Sequence, residues 1–154
     1  MKHNKSLLII GKVWPEPNSS AAGIRMMQLI DLFQKIGYHI TFASTAKESS
    51  FQFDLKQLNI SVQKIQLNSV SFDDFIVKLN PEVVVFDRFL TEEQFGWRVI
   101  EQCPNAFRIL NTEDLHFLRR TRKVSIKNSG DLRSVNLRTE DAVREISSIY
   151  RSDL

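Results

Sequence analysis

Short aliphatic runs alternate along this chain with stretches in which apolar residues recur at helical spacing. The aliphatic runs predict five buried strands, at 7–11, 39–44, 61–67, 82–86 and 106–111. The helical spacing predicts four helices, at 23–37, 71–80, 91–103 and 137–150. Between the second and third strands there is room for one short helical turn at most. Continuously apolar strands that alternate with helices predict an α/β fold in one domain, a Rossmann-like three-layer sandwich with a mainly parallel central sheet.

Residues that begin and end helices support these boundaries. The apolar stripe of the first helix is expected to consist of Ile24, Met27, Ile30, Leu32, Phe33 and Ile36. Gly37 follows it as a C-terminal cap. Ser71 is expected to begin the second helix and Pro81 to end it. Thr91, with Gln94 three residues on, predicts a capping box at the start of the third helix.

Ligands of open parallel sheets bind beyond the carboxyl ends of the strands, where the strand order reverses. After the first strand, a long loop ends in small residues at a helix start. The candidate binding residues there are Ser20, Ala22, Gly23 and Arg25. Small residues let backbone N–H groups approach an anion or a hydroxylated ligand; the alternative is simply a well-capped helix. The loop matches neither the G-x-G-x-x-G pattern nor a P-loop, which argues against dinucleotide-binding proteins and P-loop NTPases.

Asp87, Arg88 and Phe89 stand at the end of the fourth strand. Response-regulator receiver domains carry a phosphorylated aspartate at such a strand end. They also need an acidic pair after the first strand and a lysine after the fifth, and this sequence has neither. We therefore reject Asp87 as a phosphate acceptor. It remains either a carboxylate of a binding site or a structural residue that caps the turn or pairs with Arg88.

Glu113, Asp114 and His116 cluster after the fifth strand. Carboxylates accept bidentate hydrogen bonds from sugar hydroxyls, and histidine both donates and accepts. The two acids would equally complement the dipole of a helix that begins there, so both interpretations stay open. Two acids and one histidine at this spacing are not a zinc pattern, and no metal site is predicted.

Composition adds few constraints. The 154 residues are 42% hydrophobic and 25% charged, as expected for one soluble domain. The net charge of +3 is too small to indicate nucleic-acid binding by itself. One cysteine, Cys103, leaves no internal disulfide and suits a reducing compartment. The apolar run near the N-terminus is too short for a signal peptide or a membrane span, so we expect a cytoplasmic protein.

The main basic concentration comes directly after the acidic cluster. It consists of Arg119, Arg120, Arg122 and Lys123, with Lys127, Arg133 and Arg138 nearby. One interpretation is a solvated helix face. The other is contact with anionic lipid head groups at the inner face of a membrane, or with a phosphorylated acceptor. Too few aromatic residues surround it for a nucleic-acid stacking platform, and no nucleic-acid partner is predicted.

Three stretches together resemble the amino-terminal half of bacterial glycosyltransferases of the GT-B fold, the family-4-like group. They are "LLIIGKVWPEPNSSAAGIRMMQLIDLF", "PEVVVFDRFLTEEQFGWRVIEQCPNAFRILNTEDLHFLRR" and "EISSIYRSDL", and the resemblance covers essentially the whole chain. It implies a first Rossmann-like domain that binds a glycan or lipid-linked acceptor, and a second that holds a nucleotide-sugar donor. Transfer in the cleft between them would need no cofactor and no metal. The resemblance further implies that Gly23, Arg25, Asp87 to Phe89 and Glu113 to His116 line the acceptor side.

The chain departs from that family in two respects. It stops at Leu154, where the family continues into another strand and the donor domain, so we expect no glycosyl transfer by this chain alone. Glu93 to Glu101 matches the family's donor-domain signature, but in the wrong half and with no glycine-rich loop after it. Residues eight apart on a helix point about 80° away from each other. We interpret the match as a decoy.

Two other functions stay open. The chain is alternatively a non-catalytic Rossmann-like module that binds a protein partner, or forms a homodimer through the apolar face meant for a second domain. It is alternatively a nucleotide-binding fragment in which Glu93 and Glu101 contact the donor. A change in stability with UDP- or GDP-sugars would indicate the latter.

Overall fold

All strands of the central sheet run in the same direction. In the computed structural model, which describes residues 5–154, five strands form one parallel sheet. The strands are β1 (Ser6–Gly11), β2 (His39–Ser44), β3 (Ser61–Lys64), β4 (Val83–Asp87) and β5 (Phe107–Asn111), in the order β3-β2-β1-β4-β5. The helices are α1 (Ala21–Lys35), α2 (Val70–Leu79), α3 (Phe89–Gln102), α4 (His116–Ser129) and α5 (Glu140–Arg151), with 3-10 turns at Leu55–Leu58 and Leu132–Ser134. None of these helices is both long and apolar enough to cross a membrane. The predicted α/β sandwich is confirmed.

The central strands are apolar throughout because helices cover both faces of the sheet. On β1, Leu7 and Ile9 pack with α1, whereas Leu8 and Ile10 pack with α2 and α3. The helices contribute Met26 and Ile30 on the first side, and Phe72, Ile76, Phe95 and Val99 on the second. Each such side chain stabilises the fold by about 1.5–3 kcal/mol when fully buried. Two apolar cores therefore fix the sheet, and with it the edge where its strands end.

The core-facing side of α1 differs from the predicted stripe. The helix packs through Gly23, Met26 and Ile30, which are buried. Three members of the predicted stripe are half-exposed instead, namely Ile24, Leu32 and Ile36. The prediction was wrong because Gly23 lies against the backbone of Glu16, and this contact sets the rotation of the helix.

The C-terminal cap of α1 was predicted correctly. Gly37 has φ +92°, a left-handed conformation that glycine adopts without a steric penalty. Its N–H donates to the carbonyl of Gln34, and the N–H of Tyr38 donates to the carbonyl of Phe33, both at 3.0 Å. These two bonds form a Schellman motif, which ends the helix where the sequence indicated.

The predicted caps of α2 and α3 were wrong. Ser69 caps α2, since its hydroxyl accepts from the N–H of Ser71 at 3.3 Å, so the helix begins earlier than Ser71. At α3 the hydroxyl of Thr91 donates to the carbonyls of Asp87 and Arg88, both at 3.0 Å. Arg88 is the N-cap and makes no side-chain cap. No capping box forms because the helix leaves β4 after that single residue.

Two further boundaries moved. β3 ends at Lys64 rather than at 67. The last helix begins at Glu140 rather than at 137, because the hydroxyl of Thr139 accepts from the N–H of Ala142 at 3.2 Å and fixes the first turn there.

α5 turns its polar side inward and its apolar side to solvent. Glu145 and Ser148 are fully buried, whereas Val143 is 65% exposed and Tyr150 85%. Amphipathic helices of globular proteins usually do the reverse. The inversion follows from what α5 packs against, because α3 presents two carboxylates, Glu92 and Glu93, that pair with arginines of α5. We call Val143, Ile146, Ile149 and Tyr150 the α5 outer face.

The last residues of the chain lie beside β5. The N–H of Leu154 donates to the carbonyl of Arg108 at 3.2 Å, and the carbonyl of Leu154 accepts from Leu110 at 2.7 Å. This is the hydrogen-bond pattern of a parallel pair. The guanidinium of Arg108 also holds Asp153 in a bidentate pair, at 2.9 and 3.1 Å.

Candidate functional site

The strand order reverses between β1 and β4, where ligands of such sheets bind. β1 pairs with β2 on one side and with β4 on the other, so two chain crossovers leave β1 and β4 in opposite directions. The ends of the two strands are joined across this point. The N–H of Lys12, just after β1, donates to Oδ2 of Asp87, the last residue of β4, at 3.3 Å.

Half of the predicted site residues line a narrow depression at this point. Its walls are Val13, Trp14, Pro15, Glu16, Ser20, Ala22, Gly23, Met26, Asp87 and Arg88. The space inside is only about 20 Å³. That is room for about one water molecule, whereas pockets for small ligands measure roughly 300–1,000 Å³. A small-molecule ligand would therefore bind across the mouth of the depression and not inside it.

Glu16 organises the loop that forms one wall. Its carbonyl accepts from the N–H groups of Ser19 and Ser20, at 3.1 and 3.0 Å. Its carboxylate accepts from the hydroxyls of Ser49 and Ser19, at 2.5 and 2.8 Å, and these bonds, first that of Ser49, lower the pKa of Glu16. Trp14 anchors the loop further, because its indole N–H donates to the carbonyl of Ala46 at 3.0 Å.

The start of α1, which follows this loop, is capped by a side chain of the loop itself. The hydroxyl of Ser20 caps α1 by accepting from the N–H of Gly23 at 3.0 Å. A Cβ at Gly23 would lie 2.4 Å from the carbonyl carbon and oxygen of Glu16, so only glycine fits. Arg25 is exposed and does not line the depression. The capped helix that was one interpretation of this loop is thus present, and it brings Ala22 and Gly23, but not Arg25, to the depression.

Asp87 is a buried carboxyl group, and its neighbours offset only part of the cost of burying its charge. It is 6% exposed, and burial raises its pKa above the ordinary value. The Arg88 guanidinium and the hydrogen bonds from Lys12 and Asn111, the latter at 3.4 Å, oppose this shift only in part. A buried acid with a perturbed pKa at a ligand-binding edge is a candidate functional group.

Replacing Asp87 by asparagine is expected to stabilise the chain at neutral pH. Because the folded-state pKa of Asp87 lies above that of the unfolded chain, its contribution to stability is full in acid and is lost as the pH rises through the folded-state pKa. Removing the charge should raise the free energy of unfolding by on the order of 1 kcal/mol at neutral pH. The gain should vanish in acid, where Asp87 is itself protonated. Urea unfolding at both pH values measures it.

The control for this substitution is Asp74→Asn, at an exposed carboxylate of α2 that should show no such gain. A loss of stability on Asp87→Asn at neutral pH would contradict the assignment. It would mean that the hydrogen bonds from Lys12 and Asn111 outweigh the cost of burying the charge.

Arg88 and Glu113 form an ion pair in which both partners have left-handed backbone. Their φ angles are +73° and +59°, conformations that cost residues other than glycine about 1–3 kcal/mol each. Arg88 Nη2 lies 3.4 Å from Glu113 Oε2. Arg88 Nε is buried and has no hydrogen-bond partner among the described residues. We call Asp87, Arg88 and Glu113 the rim; strain of this kind concentrates at functional sites.

Asp114, His116 and Phe89 form a second group beside the rim. His116 is buried, and its Nε2 lies 3.1 Å from Asp114 Oδ1, although the geometry is not that of a hydrogen bond. Asp114 Oδ2 pairs with Arg119 at 2.8 Å. Phe89 is 2% exposed and packs edge-on against the His116 ring, at 5.7 Å between centroids. Phe89 therefore supports the histidine from within the core and offers no surface to a ligand.

No sequence pattern predicted the residue that caps α4. Glu145 of α5 is fully buried, and its two oxygens accept from the N–H groups of His116 and Phe117, at 3.0 and 2.9 Å. Leu115, the N-cap, makes no side-chain cap of its own. The acids expected to complement this helix, Glu113 and Asp114, pair with arginines instead. No local pattern links residues that are 28 or 29 positions apart.

Glu93 pairs with an arginine of α5, whereas Glu101 is exposed to solvent. The carboxylate of Glu93 accepts from Arg144 Nε and Nη2, at 3.0 and 2.7 Å, and this pairing raises the pKa of Arg144. Glu101 is exposed near the other end of α3, about 12 Å further along the helix axis. The two carboxylates do not meet at one ligand, which supports interpreting the match as a decoy.

The fold and this edge define a Rossmann-like α/β domain with a polar, strained rim at its strand-order switch. Comparison of the chain with protein-family models, curated proteins and solved structures finds no match. Within residues 5–154, no group of three or more histidine, cysteine or acidic side chains could hold a metal ion. Functional inference therefore rests on the fold and on the side chains of the rim.

Proposed function

We propose that this chain is the acceptor-binding domain of a GT-B glycosyltransferase, which transfers a sugar from a nucleotide-sugar to a glycan or lipid-linked acceptor. The observation that carries the proposal is the rim itself, where the partly exposed guanidinium of Arg88 and carboxylate of Glu113 lie side by side at the switch point. Planar groups of both signs are suited to bind the hydroxyls of a sugar. A nucleotide-sugar donor is a cytoplasmic metabolite, so the enzyme would act in the cytoplasm.

The openness of the site supports a function shared with a second domain. The depression takes about one water molecule, so the rim by itself covers one side of a sugar at most. A second wall, provided by a donor-binding domain, would complete the cleft and exclude water. On this proposal the chain alone binds acceptor weakly and transfers nothing.

Each rim residue has a distinct role in binding. The partly exposed guanidinium of Arg88 donates to acceptor oxygens, and Glu113 orients it while accepting from a neighbouring hydroxyl. Asp87 holds the loop after β1 against β4 through the N–H of Lys12, and so fixes the width of the depression.

Ligand-observed NMR tests this function. We expect disaccharides of hexoses, N-acetylhexosamines or uronic acids to show saturation transfer from the chain, and UDP- and GDP-sugars to show none. Arg88→Lys keeps the charge but loses the planar fork of the guanidinium, so it should weaken acceptor binding by about tenfold. The matched control is Arg138→Lys, at an exposed arginine far along the chain that has no ion pair with any described residue.

The contrary results each point to a different function. Binding of nucleotide-sugars alone, lost on Glu93→Gln, would make this a donor-binding fragment. If neither class of ligand binds and the chain sediments as a dimer, it is a non-catalytic interaction module. The exposed α5 outer face favours that second candidate, because contiguous apolar surface commonly marks an interface.

A further inference from the structure

The excess positive charge of the chain is concentrated on α4. It holds five cations and no acidic residue, namely Arg119, Arg120, Arg122, Lys123 and Lys127. The whole chain has a net charge of +3, so the rest of the molecule is slightly negative. The electrostatic field of α4 therefore attracts anions to one side of the protein. The small net charge of the whole chain does not indicate this asymmetry.

Three of these cations form no ion pair with any described residue. Arg119 pairs with Asp114 at 2.8 Å, and Arg120 pairs with Asp141. Arg122, Lys123 and Lys127 have no ion-pair partner among the described residues, and all three are exposed. Their charges are free to meet a partner outside the molecule.

Aliphatic side chains lie among these cations on the same helix face. We define the α4 outer face as the residues along one open trough, which are Asp114, Leu115, Leu118, Arg119, Arg122, Lys123 and Ile126. They recur at three- and four-residue intervals and so lie on one side of the helix. Ile126 is 55% exposed and Leu115 37%. A solvated helix face has no need of aliphatic residues among its cations.

We propose that the α4 outer face binds the surface of an anionic lipid bilayer, with the helix axis parallel to the membrane. Cations would meet the lipid head groups while Leu115, Leu118 and Ile126 enter the boundary with the acyl chains, as basic amphipathic helices do. Charge complementarity selects anionic over neutral lipid. The aliphatic residues select lipid over nucleic acid, whose backbone offers charge but no apolar phase.

This contact would bring the rim to the membrane. Asp114 lines the α4 outer face and directly follows Glu113 of the rim, so a bilayer bound there lies beside the candidate cleft. An acceptor that reaches the rim along the bilayer is lipid-linked. This last step rests on the proposed function, whereas the membrane contact does not.

Flotation of the intact chain with lipid vesicles tests the contact. We expect the chain to float with phosphatidylcholine vesicles that contain phosphatidylglycerol, to remain behind with phosphatidylcholine alone, and to dissociate as salt is raised. The double substitution Arg122→Glu and Lys123→Glu should weaken binding by at least about tenfold. Ile126→Ser should weaken it several-fold, since an apolar side chain no longer leaves water. All three positions are exposed, so the fold should persist.

The matched control reverses two cations elsewhere, with Lys56→Glu and Lys78→Glu at exposed positions of the first 3-10 turn and of α2. Equal weakening by this control would overturn the assignment to α4. So would no flotation with anionic vesicles, undiminished binding of Ile126→Ser, or binding of single-stranded RNA in place of vesicles. Flotation that persists while every acceptor fails by NMR would keep the membrane contact and remove the proposed function.

Discussion

Replacing Glu145 by alanine is expected to lower the free energy of unfolding by about 3 kcal/mol. The substitution removes both acceptors that satisfy the first N–H groups of α4, from His116 and Phe117. Each N–H would be left buried or half-buried without a partner, which costs about 1–3 kcal/mol. The side chain is fully buried, so its removal leaves a cavity in addition.

Urea unfolding measures this loss, and hydrogen exchange of the His116 and Phe117 amides shows where it acts. Glu145→Gln retains one carbonyl acceptor and should lose about half as much. Glu101→Ala, at an exposed glutamate of α3, is the matched control and should change stability by less than about 0.5 kcal/mol. If Glu145→Ala proved as neutral as this control, the cap of α4 would be dispensable.

Gly23→Ala is expected to destabilise the chain by about 2–3 kcal/mol, which is opposite in sign to the usual effect. In the interior of a helix, glycine to alanine normally gains up to about 1 kcal/mol. Here the new Cβ would lie 2.4 Å from the carbonyl of Glu16, and that atom belongs to a backbone held by two hydrogen bonds. The helix and the loop would have to separate, and the depression between them would open.

Thermal or urea unfolding of Gly23→Ala checks the sign. Arg25→Ala, two residues on and exposed, controls for the helix and should change stability by less than about 0.5 kcal/mol. A gain in stability on Gly23→Ala would show that the loop after β1 yields easily. In that case Asp87 would not face a fixed wall.

The fold was predictable because burial on both faces leaves a strong signal in sequence. β2 was located at 39–44 to the residue, since the five positions from Ile40 to Ser44 are β-branched, aromatic or small and Gly37 precedes the strand. Asp87 and Arg88 could be assigned to the ligand-binding edge for the same reason. In a parallel sheet, every residue that follows a strand lies on that edge, whatever its partners are.

Partners between distant segments were not predictable. The ion pair of Arg88 with Glu113 depends on two strained backbone positions. Arginine and glutamate rarely adopt a positive φ, so neither residue predicts one. The stripe of α1 was assigned by hydrophobicity, whereas a steric contact of Gly23 decided its rotation. Glu145 would have been assigned to solvent by any pattern of charges, although it is the deepest carboxylate of α5.

The inward-facing polar side of α5 fixes the register of one end of the molecule. An apolar seam tolerates sliding, because a neighbour of similar volume packs nearly as well after a shift. Bidentate pairs have one geometry only. The pairs of Arg144 with Glu93 and of Arg151 with Glu92 therefore fix the position of α5 along α3. Glu145 lies between the two arginines and determines where α4 starts. The position of the acidic cluster beside the rim is thus set by α5, through the carboxylate that caps α4.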